Sequence, residues 1–302
     1  MLFRSGHRVS QHRHRRQRED QRLSYAEELH FTAHIRSPAI RAAFATVPRE
    51  RFVGAGPWRI RSPMDHLSEY WTTPDADPRA VYHDVLIALD ETRQINNGQP
   101  SLWAFLLDQL DVAAGEQVLH LGCGTGYYTA VVAELAGPTG KITAVEIDAD
   151  LAEKARIALE PWPQITVSNA DGSNLSCEPA DLIIASAGAT QPVTAWLDAL
   201  KPGGRLLFPM TASRRGGMLL VTREAEGSFA AHFLCRVGFI GFRGARDPDT
   251  GRRLATALAR DWGEAVQSLR RDSHAKGRTC WLHGEGWCLS RRQPVVTRSA
   301  TP

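Results

Sequence analysis

The sequence predicts an α/β protein built on a doubly wound, mostly parallel sheet, and three stretches predict it. In the first, the apolar run Val118, Leu119, Leu121 breaks into Gly122-Cys123-Gly124-Thr125-Gly126. A small-residue helix follows from Thr129 to Leu135 and stops at Gly137-Pro138, after which a second strand, Ile142 to Val145, delivers Glu146. In the second, Ile165 to Val167 reads as another strand and leads to Asn169-Ala170-Asp171-Gly172. In the third, Asp181-Leu182-Ile183-Ile184-Ala185 is almost continuously apolar, as a strand covered on both faces requires.

The glycines at 122, 124 and 126 serve a sharp turn that lets a ligand approach main-chain N–H groups. Glu146 lies twenty positions after Gly126, at a strand end, where a carboxylate accepts hydrogen bonds from both hydroxyls of a ribose. The unit therefore points to an adenosine-like ligand. A dinucleotide fingerprint has its third glycine three residues after the second. The G-x-G-x-G spacing here fits S-adenosylmethionine (SAM) better than NAD. A tight glycine turn with no ligand is the plainer alternative.

Length and apolar content are ample for a sizeable core. A formal charge of +3 points to neither nucleic acid nor membrane as partner. Five scattered cysteines without a C-x-x-C pair read as free thiols of a cytoplasmic protein. No apolar stretch is long enough for a membrane helix, and the basic start lacks the apolar segment of a signal peptide. A monomer is expected. Residues 1–22 carry seven arginines and three histidines and read as a disordered basic tail.

Tyr25 to Thr46 reads as helical, with a fresh start at Ser37-Pro38. It runs into Val47-Pro48-Arg49-Glu50-Arg51-Phe52-Val53, followed by an irregular stretch over 54–80, then Tyr82, Asp84 and a short strand, Val85 to Leu89. The segment S-P-A-I-R-A-A-F-A-T-V-P-R-E-R-F-V resembles the opening of the protein-L-isoaspartate (D-aspartate) O-methyltransferase family, a group of class I SAM-dependent methyltransferases. Tyr82 and Asp84 are similar to its A-Y-x-D, Asp171-Gly172 to its D-G pair, and Leu200 to Pro209 to its L-K-P-G-G-R-L-x-x-P. The resemblance runs from about Tyr25 to Gly244, including Met218 to Arg223 and then Phe233 to Phe242 as a strand pair.

The resemblance implies a seven-stranded Rossmann-like sheet, with a methyltransferase domain over 23–244 and an extension over 245–302. It implies SAM as cofactor and a methyl ester on the carboxylate of isoaspartyl residues in damaged proteins or peptides. Gly122, Cys123, Gly124, Gly126, Glu146, Ile147, Asp171, Gly172 and Ala185 are the expected cofactor residues, with Glu146 on the ribose and Asp171 on the adenine amine. Where the family has an acidic residue before the glycines, this chain has His120. Neutral, it accepts a hydrogen bond from the cofactor's amino-acid end; a strand-end residue without ligand contact is the other reading. No [DN]-P-P-[FY] motif follows Ala185, which counts against methylation of nucleic-acid bases.

The family's T-I-S-x-P loop, whose hydroxyl faces the substrate carboxylate, is altered here to Ile95-Asn96-Asn97-Gly98-Gln99-Pro100-Ser101. Asn96, Asn97, Gln99 and Ser101 are the expected acceptor wall, and an asparagine amide can donate to a carboxylate. The same residues fit a plain helix start for Leu102 to Leu110, with Ser101 or Gln99 as cap. The changed loop leaves two further readings open, a small-molecule or modified-peptide acceptor and a SAM-binding module without turnover. In the extension, Leu254 to Leu269 reads as a helix and 280–289 as a hairpin; the last dozen residues read as disordered. Cys280, His283 and Cys288 are three metal-type ligands without a fourth, so they read as core packing and no metal is expected.

Overall fold

The computed structural model describes residues 5–64, 69–175, 178–224 and 227–294, and the end read as disordered lies outside them from residue 295 on. Two compact units divide the chain. One runs to Ala114 and takes in Gly124–Pro138 and Lys154–Trp162; the other holds Gly115–Cys123, Thr139–Glu153 and the chain from Pro163 on.

The first unit contains α1 (Ser5–Thr32), α2 (Pro38–Thr46), α3 (Pro100–Leu110) and α4 (Tyr127–Ala136). Within it, β1 (Arg59–Arg61), β2 (Trp71–Thr72), β3 (Leu86–Asp90) and β4 (Ile95–Asn96) form a small antiparallel sheet in the order β2-β1-β3-β4. The basic segment expected as a disordered tail is helical from Ser5. Arginine and glutamine are good helix formers, and buried Tyr25, Ala26 and Leu29 anchor the far end from which the helix propagates. Ser37 starts α2 without a side-chain cap bond; its N–H instead donates to Asp108 Oδ1 at 2.9 Å.

Aromatic rings fill this unit's core. Tyr25 meets Phe44 and Tyr82 edge to face, and Tyr127 meets Phe44 in the same way, with centroids 5.6–6.2 Å apart. Each such ring contributes roughly 1.5–3 kcal/mol on burial. Beside them lies Arg49, fully buried. Its guanidinium donates to the carbonyls of Val81, His83 and Val85 at 2.8–2.9 Å, and its Nε to Asn97 Oδ1 at 3.1 Å. A buried charge is tolerated only when hydrogen-bonded on most sides, and the fork of Arg meets that condition with main-chain oxygens.

The second unit is built on a ten-stranded mixed sheet in the order β13-β14-β12-β11-β10-β9-β8-β5-β6-β7. Its strands are β5 (Gln117–Leu121), β6 (Lys141–Glu146), β7 (Ile165–Asn169), β8 (Ala180–Ala185), β9 (Leu200–Thr211), β10 (Arg215–Arg223) and β11 (Phe229–Gly238), then β12 (Ser268–Arg270), β13 (Cys280–Gly284) and β14 (Trp287–Ser290). β7, β6, β5, β8 and β9 run parallel, and the rest pair antiparallel. The seven strands expected are all present; β12, β14 and β13 from the extension lengthen the sheet beyond β11. The helices named along this part of the chain are α5 (Ala149–Ala158), α6 (Thr194–Asp198) and α7 (Pro248–Arg260).

α7 differs from the expected span 254–269. It starts earlier because Asp247 caps it, accepting from the Thr250 N–H at 2.6 Å with Pro248 in the first turn. It ends at Asp261, whose Oδ1 accepts from the Gly263 N–H at 3.0 Å and from the Trp281 indole at 2.5 Å. Gly263 has φ +76°, and a Cβ there would stand 2.5 Å from the Phe233 ring, so the helix cannot continue through it.

Replacing Arg49 by Met keeps much of the volume and removes every donor. We expect a loss of about 3–5 kcal/mol in urea unfolding at unchanged slope, since buried carbonyls lose their partners. A loss below about 1 kcal/mol would show that water substitutes for the guanidinium.

Candidate functional site

In the second unit the chain passes from β5 to β6 on one side of β5, and later returns to place β8 on the other. Strand order therefore reverses between β5 and β8, and an open parallel sheet binds its ligand beyond the carboxyl ends of the strands at such a reversal. Leu121 and Ala185 are register partners there, and the Ser186 N–H continues the ladder to the Leu121 carbonyl at 2.8 Å. Gly122 follows with φ +70°, its N–H donating to the Val145 carbonyl at 2.7 Å. A Cβ on Gly122 would meet nothing nearer than 4.0 Å, so the turn faces open space.

Around this reversal stand the other expected cofactor residues of the unit. Glu146 ends β6, largely buried, with Oε1 accepting from the Asp148 N–H at 3.0 Å. Ile147 follows it, and the Ile147 carbonyl accepts from Asn169 Nδ2 at 3.1 Å. Cys123 is buried, and burial, reinforced by the Glu146 carboxylate, drives its thiol far above the usual range, so it stays neutral. Asp171 folds into its own turn, Oδ1 accepting from the Ser173 N–H at 2.9 Å and from Ser173 Oγ at 2.7 Å. The turn is pinned from below. Fully buried Trp196 donates its indole N–H to the Gly172 carbonyl at 2.8 Å, and a Cβ on Gly172 would crowd Leu121 and Phe242 at 3.1 Å.

His120 lies on β5 with its ring buried and Nε2 2.8 Å from Ser186 Oγ. Burial lowers its pKa to about 4, so the imidazole is neutral at pH 7. Ser186 as its neighbour was not anticipated; the register of β5 against β8 brings it there.

Gly124 and Gly126, also in left-handed conformation at φ +58° and +93°, belong to the first unit and differ in purpose. Above Gly124 a Cβ would meet only Leu89 at 3.9 Å. On Gly126 it would strike Leu159 at 2.7 Å, so that glycine serves close packing at the start of α4.

The first unit also carries the altered loop. Asn96 Oδ1 closes a turn onto the Gly98 N–H at 2.9 Å. Asn97 is buried, its N–H bonded to the Ile87 carbonyl at 2.8 Å. Because a guanidinium only donates, the Asn97 atom facing Arg49 is the carbonyl oxygen, which leaves Nδ2 as its donor. Gln99 and Ser101 converge on Asp84. Its Oδ1 accepts from the Ser101 N–H at 2.8 Å, and its Oδ2 accepts from Ser101 Oγ at 2.6 Å and Gln99 Nε2 at 3.2 Å. Gln99 holds the N-cap position of α3 as expected but makes no side-chain cap bond; the acceptor for the Ser101 N–H is Asp84, from a segment well before the helix. Tyr128 was missed as well. Its ring stacks on Trp103 with centroids 4.8 Å apart, and its buried hydroxyl has no hydrogen-bond partner among the described residues. A Cβ on Gly98 would stand 2.9 Å from the Tyr128 ring, so this phenol lies against the loop.

A sheet that reverses at a glycine turn, with a carboxylate ending the next strand, defines a nucleotide-binding α/β protein. Two solved structures share its fold: one named protein-L-isoaspartate O-methyltransferase matches 78% of this chain and 68% of its own with TM-score 0.60 at 24% identity. The other is a putative protein-L-isoaspartate O-methyltransferase from Plasmodium falciparum in complex with S-adenosyl-L-homocysteine, with TM-score 0.58 at 15% identity over 74% and 98% of the two chains. The protein-L-isoaspartate O-methyltransferase 1 of Geotalea uraniireducens is 32% identical over 70% of this chain and 87% of its own. The protein of that name from Methanothermobacter thermautotrophicus is 29% identical over 73% and 94%. The family model for protein-L-isoaspartate (D-aspartate) O-methyltransferase matches residues 21–246, and the chain belongs to that family.

The buried neutral His120 makes stability depend on pH. Its ordinary pKa of 6.5 applies to the unfolded chain and about 4 to the folded one, so the unfolded state binds the extra proton between them. Its contribution is complete above pH 6.5 and is lost as pH falls toward 4, by up to about 3 kcal/mol. Denaturation of the wild type and His120→Gln across this range measures it. The expected result is a pH slope that the variant lacks; equal slopes would place the protonated ring in solvent.

Proposed function

We propose that the chain is a SAM-dependent O-methyltransferase that esterifies a carboxylate carried by a protein or peptide, that of L-isoaspartyl residues. The observation that supports this most directly is the strand reversal at β5 and β8. It sets an open glycine turn and Glu146 at one sheet edge, in a chain of the isoaspartyl methyltransferase family.

The residues fit the cofactor. Open space over Gly122, and over Gly124 next along the chain, admits a ligand to the backbone. In this reading Glu146 takes the ribose hydroxyls and Asp171 the adenine amine, with Cys123, Ile147, Gly172 and Ala185 as apolar or backbone wall. His120, neutral, accepts from the amino-acid end or holds Ser186 in place to do so. Bound SAM supplies a methyl group on a sulfonium. An ionised carboxylate is already a nucleophile, so the chain needs to align it and exclude water rather than provide a strong base. Nδ2 of Asn97 and the hydroxyl of Tyr128 are the acceptor-side donors we assign, while Asn96, Gln99 and Ser101 shape the loop.

Ser101 Oγ, the hydroxyl of the altered loop, already donates to Asp84. That favours, as a second reading, a different carboxylate on a small molecule or a modified peptide.

Labelled SAM with an isoaspartyl peptide and its aspartyl twin separates the two. A base-labile methyl ester on the isoaspartyl peptide alone supports repair-type methylation, and none on either peptide, with SAM still bound, favours the second reading or a SAM-binding module without turnover. Calorimetry of Glu146→Gln should show SAM binding weakened about 10- to 100-fold, the worth of one or two hydrogen bonds to a charged group. An unchanged Kd would remove Glu146 from the ribose.

A further inference from the structure

The extension carries a second cluster, separate from the residues assigned to methyl transfer. β13 and β14 form a hairpin in which His283 and Cys288 are direct cross-strand partners and Cys280 pairs with Ser290. Along a regular strand Cys280 and His283, three residues apart, would face opposite ways. The register shifts between Cys280 and Leu282, and this bulge turns Cys280 onto the face shared by His283 and Cys288. The preceding loop adds His274, absent from the three-residue set read from the sequence. One donor atom from each of His274, Cys280, His283 and Cys288 lies within 4.8 Å of all the others.

The surroundings prepare these atoms for a cation. Nδ1 of His274 is 2.9 Å from the Asp272 carbonyl and 3.3 Å from its carboxylate, which fixes the proton on Nδ1. Nε2 is then a lone pair, 3.6 Å from Cys280 Sγ. The Gly277 N–H donates to that sulfur at 3.3 Å, as suits a thiolate. The His274 and His283 rings meet edge to face at 4.9 Å, and buried Nδ1 of His283 has no hydrogen-bond partner among the described residues. Packing alone explains neither an orphaned ring nitrogen nor two thiols and two imidazoles gathered at one point.

We propose that His274, Cys280, His283 and Cys288 bind one Zn²⁺ as a tetrahedral Cys₂His₂ site. Zn–S near 2.3 Å and Zn–N near 2.0–2.1 Å require ligand separations of about 3.4–3.8 Å, a contraction of roughly 1–1.4 Å from the present spread of up to 4.8 Å. Two thiolates select zinc over magnesium or calcium, and four protein ligands leave no position for water, so the role is structural. Binding releases the two thiol protons to solvent. The ion ties the loop after β12 to the β13–β14 hairpin.

The test uses the full chain, purified after growth with zinc and dialysed against metal-free buffer. Plasma emission spectrometry should find about one zinc per chain. Titrating Co²⁺ into chelator-stripped protein should give the thiolate-to-cobalt charge-transfer absorption of a tetrahedral site. Cys288→Ser and, should that variant fold poorly, the loop variant His274→Ala should each lower retained zinc at least about fivefold and remove the cobalt band. Wild-type protein that retains no zinc and gives no band overturns the proposal. So does a thiol count showing Cys280 and Cys288 joined as a disulfide.

Discussion

A parallel strand flanked on both sides by strands of its own direction must let its chain leave at the carboxyl end, and when the neighbours are reached by opposite routes the two exits diverge. β5 is in that position. Its ladder to β6 and β8 fixes Leu121, Val145 and Ala185 side by side, so whatever follows them is held by three strands at once. Gly122, Glu146 and Ser186 all inherit their placement from this constraint. Trp196 adds the fourth member by drawing the Gly172 carbonyl down onto the core.

The segment beside the altered loop depends on a different principle. No regular element runs between Val81 and Val85, and its carbonyls are satisfied by one guanidinium instead of by a partner strand. Arg49 thereby does for an irregular segment what a ladder does for a strand. Asp84 performs the complementary task, supplying the acceptor that the first N–H of α3, that of Ser101, lacks. The cation and the anion together leave the loop little freedom, with Asn97 and Ser101 each already bonded to one of them.

Much of this was legible in the chain. The strand, glycine turn, helix and terminal acid around 117–146 follow from local rules, as does the C-terminal hairpin. What escaped depends on residues far apart in sequence. The capping of α3 by Asp84 cannot be seen from Pro100 and Ser101, and the start of α7 was hidden because Asp247-Pro248 precedes its apolar periodicity. His274 sits in a loop without periodicity; only the spacing H-x5-C-x2-H-x4-C would have flagged it. The basic stretch before Leu23 is helical despite its composition because the helix anchored at Tyr25 and Leu29 extends back through it.

The lengthened sheet has one more effect. A seven-stranded sheet would end at β11, presenting an open row of amides and carbonyls to any passing strand. Here Phe229 and Ala230 are paired by β12, with β14 and β13 stacked outward from there. Edges of this kind recruit other chains unless they are covered. The extension thus works as a selvedge: it binds off the start of β11 and moves the sheet's outer border to the short strand β13.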